Sequence, residues 1–211
     1  MFRLFFLLIV SFSALFSNEF YLNPYFQKQL KKDTNSYNIL KDYVKFLNKI
    51  SSLDRQQQIE KINSYINAIV PKYDIYNYKN EEYWATPFEF FAKGGGDCED
   101  YVIAKKYTLH LLGIPSKDMY FNIVKEKYIG GDHMVLSLYV KKKNTFLVLD
   151  NLSTIILPFD KRIDLKSTFL FNENGFFRFG KNKKFVKIDN IDIPAYIEMK
   201  ERDKNELVLV R

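Results

Sequence analysis

Lys93-Gly94-Gly95-Gly96-Asp97-Cys98-Glu99-Asp100 carries the only cysteine of the 211-residue chain. Three glycines precede the thiol and three carboxylates surround it. The residues that follow, from Tyr101 through Val102, Ile103, Ala104, Tyr107 and Leu109 to Leu112, cover nearly every direction of a helical wheel. A helix apolar almost all round is a buried one. Gly113 and Pro115 stop it, so the spacing predicts a core helix over 98–112 with Cys98 at its N-terminus. On the other side, Thr86-Pro87-Phe88-Glu89 has an N-cap residue, a proline at the first helical position and a glutamate at the third. That is a capping-box start for a short helix ending in Gly94–Gly96. Asp97 can then cap the next helix.

Further upstream, Leu30, Tyr37, Leu40, Tyr43, Val44 and Leu47 recur every three or four residues and predict one helix over 25–50. Ile59, Ile62, Ile66 and Ile69 predict a second over 52–70, ended by Pro71. The aromatic, polar stretch from Tyr73 to Tyr83 has no period and reads as a loop. Downstream the period changes to two. Strands are predicted at Tyr120–Val124, His133–Val140 and Thr145–Asp150, with shorter ones at Ile155–Leu157, Phe176–Phe179 and Phe185–Ile188 and a last helix over 194–205. Helices first and a mostly antiparallel sheet after them give an α+β fold. We expect one globular unit, a helical segment (18–80) packed on a core (81–211).

With 47% hydrophobic residues the chain can bury a core, and its formal charge of +7 is spread over scattered lysines. There is no arginine cluster, zinc pattern or RNP-like strand, so a nucleic-acid partner is not expected. Met1-Phe2-Arg3 followed by the apolar run Leu4–Phe16 reads as a signal peptide over 1–17, too short to span a bilayer comfortably. The alternative reading is an uncleaved anchor, and in both the bulk of the chain is exported. Losing 1–17 removes one charge, Arg3, and leaves +6. A lone cysteine in an exported chain has no internal disulfide partner and stands out as a reactive thiol.

A nucleophilic thiolate needs a base, a group that orients the base, and donors for an oxyanion. Only two histidines exist. His110 lies about three turns along the Cys98 helix, on another side, and reads as structural. His133 opens a strand after Gly130-Gly131-Asp132. A hairpin turning at Lys142–Lys143 sets position 135 opposite Asp150 and 133 opposite Leu152. Asp150 is then a diagonal neighbour of His133, about 7–8 Å away by backbone. We therefore expect Cys98 as nucleophile, His133 as base and Asp150 as its orienter, with the Cys98 backbone N–H and a donor at Trp84 at the oxyanion.

The carboxylates oppose that chemistry. A helix N-terminus lowers a cysteine pKa, whereas Asp97, Glu99 and Asp100 raise it by destabilising the thiolate. A bound hard cation such as Ca2+ would resolve the conflict, with further oxygens from the loop holding Asp132. Plain helix capping by the same acids needs no metal, and the residues leave both readings open.

Trp84-Ala85-Thr86-Pro87-Phe88-Glu89, Gly96-Asp97-Cys98-Glu99-Asp100, Leu112-Gly113-Ile114-Pro115, His133-Met134-Val135-Leu136 and Leu149-Asp150-Asn151 together resemble the bacterial transglutaminase-like cysteine proteinases over about residues 80–160. The resemblance implies a papain-like core, the triad Cys98, His133 and Asp150, and a calcium site involving Asp97, Glu99 and Asp100. It implies a periplasmic protease that cuts a large surface adhesin near its N-terminal retention module, at a di-alanine site, and so controls biofilm attachment. It also implies an inner-membrane cyclic-di-GMP receptor as sequestering partner. Rival readings are a transglutaminase-like amidase or transferase acting on cell-envelope peptides, and a non-catalytic binding module.

Overall fold

The computed structural model describes residues 19–128, 130–180, 185–204 and 209–210. The expected signal segment, 1–17, lies outside them. Helices α1 (Pro24–Leu30), α2 (Thr34–Ile50), α3 (Arg55–Asn67), α4 (Asp74–Tyr78), α5 (Pro87–Lys93) and α6 (Cys98–Leu111) come first. They follow a two-residue strand, β1 (Tyr21–Leu22). Strands β2 (Met119–Glu126), β3 (Gly131–Val140), β4 (Thr145–Leu149), β5 (Leu157–Pro158), β6 (Leu165–Asn172), β7 (Gly175–Phe179) and β8 (Phe185–Ile188) form one antiparallel sheet in the order β5-β4-β3-β2-β6-β7-β8. After helix α7 (Pro194–Asp203), strand β9 (Leu209–Val210) returns to pair with β1. None of the described helices is long and apolar enough to cross a membrane.

The expected α+β order is therefore observed, with local differences. The single helix predicted over 25–50 is two helices. Asp33 sits between them in an extended conformation, and its carboxylate accepts the N–H groups of Asn35 and Ser36. Such side-chain bonding to the backbone competes with helix continuation and starts a new helix instead. The stretch 73–83 is not all loop, because Asp74–Tyr78 makes one helical turn. Strand β6 was not anticipated. Its polar Lys166, Ser167 and Thr168 interrupt the apolar alternation, and its pairing with β2 shifts register between Ile123 and Val124.

The capping box of α5 forms as the sequence suggests, with Thr86 Oγ1 accepting Glu89 N–H and Glu89 Oε2 accepting Thr86 N–H. Gly94 then ends the helix at φ +64°, the left-handed conformation favoured by glycine. The wheel pattern of α6 is also met: Tyr101, Val102, Ile103, Ala104, Thr108 and Leu109 are all buried. Helix α6 lies between α3 and α5 on one side and strand β3 on the other. Tyr43 of α2 hydrogen-bonds Thr108 at 2.7 Å, tying the outer helix to it. One continuous core runs from Leu40, Tyr43 and Leu47 through Phe90, Phe91 and Ala104 to Phe121, Leu136 and Phe171. Helical segment and sheet thus share a single apolar interior. A second, smaller cluster of Val124, Val135, Val148 and Leu165 fills the opposite face of the sheet.

Candidate active site

Cys98 is the first residue of α6, at the end where backbone N–H groups lack intrahelical partners. Two close approaches at glycines put it there, one to backbone and one to a side chain. A Cβ on Gly95 would lie 2.1 Å from the Val70 carbonyl oxygen, and one on Gly96 would lie 2.0 Å from Asp100 Oδ2. Gly95 therefore allows the 70–72 segment to run against it, where Lys72 N–H donates to Gly96 O at 2.9 Å, and Gly96 leaves room for the Asp100 carboxylate. The same packing makes Pro71, Lys72 and Tyr73 one wall of a cleft of about 530 Å³, which Asp97, Cys98, Glu126, His133, Asn151 and Leu152 also line.

Strand β3 brings His133 into that cleft. Leu136 faces Leu149 and Val140 faces Thr145, the register expected for the β3–β4 hairpin. The turn itself differs: Lys141–Lys143 form a 3-10 turn and Asn144 takes the left-handed conformation at φ 45°, a four-residue connection in place of two. In this register His133 Nε2 and Asp150 Oδ1 stand 2.9 Å apart, both buried. Nδ1 is then the imidazole nitrogen left for the cleft. The backbone N–H of Met134, the next residue, reaches the Cys98 sulfur. Imidazole and thiol are thus on adjacent elements, as the sequence suggested. His110 is exposed at the far end of α6, with Nδ1 3.2 Å from Ile114 O.

Asp150 is more constrained than a hairpin model conveys. Its Oδ1 also accepts Leu152 N–H at 2.9 Å, and its Oδ2 accepts Arg162 Nη2 at 2.7 Å. Burial alone would raise its pKa, but the His133 contact, the Leu152 N–H and Arg162 hold it down at about 2. Lys105, buried in α6, also faces Asp150 electrostatically. Its Nζ has no hydrogen-bond partner among the described residues, and burial brings its pKa down to about 7. Asn67 Nδ2 donates to the Asp150 carbonyl at 2.7 Å and, with Asn63, anchors the 150–154 loop to α3.

The acidic cluster has the opposite character. One carboxylate oxygen each from Asp74, Asp97 and Glu99 lies within 4.8 Å of the others. Asp74 Oδ1 and Asp97 Oδ1 are buried with no hydrogen-bond partner among the described residues. Burial pushes Asp74 up to about 6, against a hydrogen bond from Tyr83 N–H that lowers it. Burial and then the neighbouring Glu99 carboxylate raise Asp97, and burial raises Glu99. The thiol donates to Glu99 Oε2 at 3.1 Å, and burial followed by Glu99 pushes its pKa far up. Oxygen donors, orphaned lone pairs and mutual repulsion fit a hard divalent cation.

Several expectations are placed differently. Asp97 makes no side-chain hydrogen bond to the α6 N-terminus, which removes the plain-capping reading for that residue. Asp100 is buried beside the trio but outside it: its Oδ1 accepts Ala85 N–H at 2.6 Å. Asp132 stands at the cleft edge, exposed and paired with Lys125 at 2.6 Å. Trp84 is a core side chain stacked on Phe171, and its indole N–H donates to Glu82 Oε1 at 3.0 Å. That N–H is therefore committed away from any oxyanion. Sequence reading missed Asp74, Lys105 and Arg162. A lysine pair inside a helix apolar on all sides was the available signal for Lys105. Asp74 and Arg162 carried none, being single charges in unpatterned stretches.

A family model described as bacterial transglutaminase-like cysteine proteinase matches residues 31–164, more than half of the chain. The chain belongs to that family. The proteinase also resembles solved structures of Legionella pneumophila LapG. The calcium-bound form is 26% identical, covers 83% of this chain and 98% of its own, and superposes with a TM-score of 0.69. The EGTA-treated form is 27% identical, covers 84% and 95%, and gives 0.71. A further LapG structure is 28% identical, covering 84% and 94%, with a TM-score of 0.69. No curated protein sequence matches the chain.

Proposed function

We propose that this proteinase is a calcium-dependent periplasmic endopeptidase using Cys98, His133 and Asp150. The observation that carries the reading is the buried His133–Asp150 pair, 2.9 Å apart, opening onto the same cleft as Cys98. Asp150 holds the Nε2–H tautomer and so points Nδ1 at the cleft, where it can take the thiol proton. Sγ then attacks a substrate carbonyl, and the imidazolium returns the proton to the leaving amine. The Cys98 backbone N–H, at the positive end of α6, is the oxyanion donor this chain offers. Asp74, Asp97 and Glu99 would hold the calcium ion. A cation bound there supplies the counter-charge that lowers the cost of a thiolate beside three carboxylates. That LapG has been solved in calcium-bound and EGTA-treated forms supports this choice of metal.

On the resemblance to LapG and the export-like segment 1–17, the substrate is the N-terminal region of a large surface adhesin, whose cleavage releases cells from a biofilm. A membrane cyclic-di-GMP receptor is the regulatory partner in this reading. The test incubates the purified protein with an adhesin N-terminal fragment, with calcium or chelator, beside Cys98→Ala. Cleavage that needs both Cys98 and calcium is expected. Equal cleavage by Cys98→Ala would remove the nucleophile assignment, and full cleavage by a calcium-stripped sample would remove the metal.

A further inference from the structure

We infer that Arg162 is a positioning residue of the peptidase, clamping Asp150 so that one carboxylate oxygen stays on His133; this rests on the catalytic reading above. Asp150 and Arg162 are 1% and 9% exposed, so their contact is sheltered from solvent competition. Arg162 Nη2 reaches Asp150 Oδ2 at 2.7 Å, on the oxygen His133 does not use. The guanidinium is itself held by Asp164: Nε is 2.9 Å from Oδ1 and 3.0 Å from Oδ2, and Nη2 is 2.6 Å from Oδ2. Turn hydrogen bonds from Arg162 N–H to Phe159 O and from Leu165 N–H to Arg162 O fix the backbone beneath it.

The clamp has two consequences. With Leu152 N–H and His133 on Oδ1 and Arg162 on Oδ2, rotation of the Asp150 carboxylate breaks a hydrogen bond at either end. The orienter is therefore immobilised, and the imidazole tautomer with it. Arg162 also brings its own counter-ion. Asp150, Arg162 and Asp164 together carry one net negative charge, the same as Asp150 alone, so the clamp does not cancel the field felt by an imidazolium. From α6, Lys105 also faces Asp150. A fork that binds two carboxylates at once is a geometry arginine provides and lysine does not.

The readouts need no substrate. The protein has two histidines and one cysteine, so ring 15N shifts report the His133 tautomer against His110, and iodoacetamide alkylation followed by mass spectrometry reports Cys98 alone. Wild type in calcium buffer is expected to show a single Nε2–H tautomer. Arg162→Met is expected to show mixed tautomers and alkylation slower by about 10- to 150-fold, the rate equivalent of one hydrogen bond to a charged group. Arg162→Lys should recover part of the rate, and Asp164→Asn should slow it less than Arg162→Met. A folded Arg162→Met that keeps both the tautomer and the alkylation rate overturns the proposal. If Arg162→Met does not fold, wild-type behaviour of both Arg162→Lys and Asp164→Asn overturns it instead. His133→Ala separates the two levels. If it alkylates as fast as wild type, the catalytic reading itself fails; if it is slow while the clamp variants are not, only the role of Arg162 fails.

Discussion

Two groups of buried carboxylates flank the cleft, and they solve the same electrostatic problem in opposite ways. Around Asp150 the chain supplies its own partners: the Arg162 guanidinium on one oxygen, the His133 imidazole on the other and Lys105 nearby. The Asp150 pKa falls to about 2 despite burial. Around the start of α6 no cationic side chain is paired with the acids among the described residues. Asp74, Asp97 and Glu99 face one another, and all three are raised. Burial is common to both groups, so burial does not decide the sign; the presence of a counter-charge does. The first group is complete within the chain, and the second would be completed by the calcium ion proposed above.

Removing a charge should therefore have opposite consequences in the two places. Arg162→Met breaks the buried Asp150–Arg162 pair and leaves Asp150 Oδ2 without its partner, which should cost about 3–5 kcal/mol. The melting temperature should fall by about 6–20 °C, and a melting curve that does not move would break the comparison. In the acidic group, calcium at about one hundred times its Kd should add about 2.7 kcal/mol and raise the melting temperature by about 5–11 °C over a chelated sample. Asp97→Asn should abolish that rise while leaving the metal-free protein at least as stable as wild type. Its sign follows from the raised pKa of Asp97: a carboxyl raised in the folded state contributes stability below its unfolded pKa and loses it as pH rises.

Lys105 sharpens the same contrast, because its amine has no hydrogen-bonded partner among the described residues. Its folded pKa of about 7 lies below the unfolded value, so the unfolded chain binds the extra proton between about pH 7 and pH 10. Wild-type stability should rise across that window. Lys105→Met should then gain about 1–3 kcal/mol at pH 6, the cost of an unpaired buried polar group, and lose the advantage near pH 10. Chemical denaturation at both pH values measures it. The smallest effect belongs to Asp132, whose pair with Lys125 is exposed. Asp132→Asn should change stability by less than about 1 kcal/mol and leave the calcium-induced shift intact.

The helices and hairpin were legible because they rest on local rules. The capping box at Thr86, the apolar wheel of 98–112 and the period-two alternation of 133–140 are each written within one turn or one strand. The hairpin register carried Asp150 to His133 even though the turn at Lys141–Asn144 took another form. The break at Asp33 and strand β6 were less legible, since a side chain bonding its own backbone and a register shift both interrupt the repeat that periodicity reads.

By itself the sequence determined that a lone thiol would sit at the start of a buried helix, that a histidine would open a neighbouring strand, and that acids would crowd the thiol. Those follow from short-range geometry, where residue spacing fixes direction. Only the tertiary structure decided which charges meet. Asp74 joins Asp97 and Glu99 because the 70–72 segment packs against Gly95 and Gly96. Arg162 reaches Asp150 because the turn at 159–165 returns beneath the end of β4. Electrostatic partners are set by distance in space, and no local repeat in the chain encodes a contact between single charges in unrelated loops.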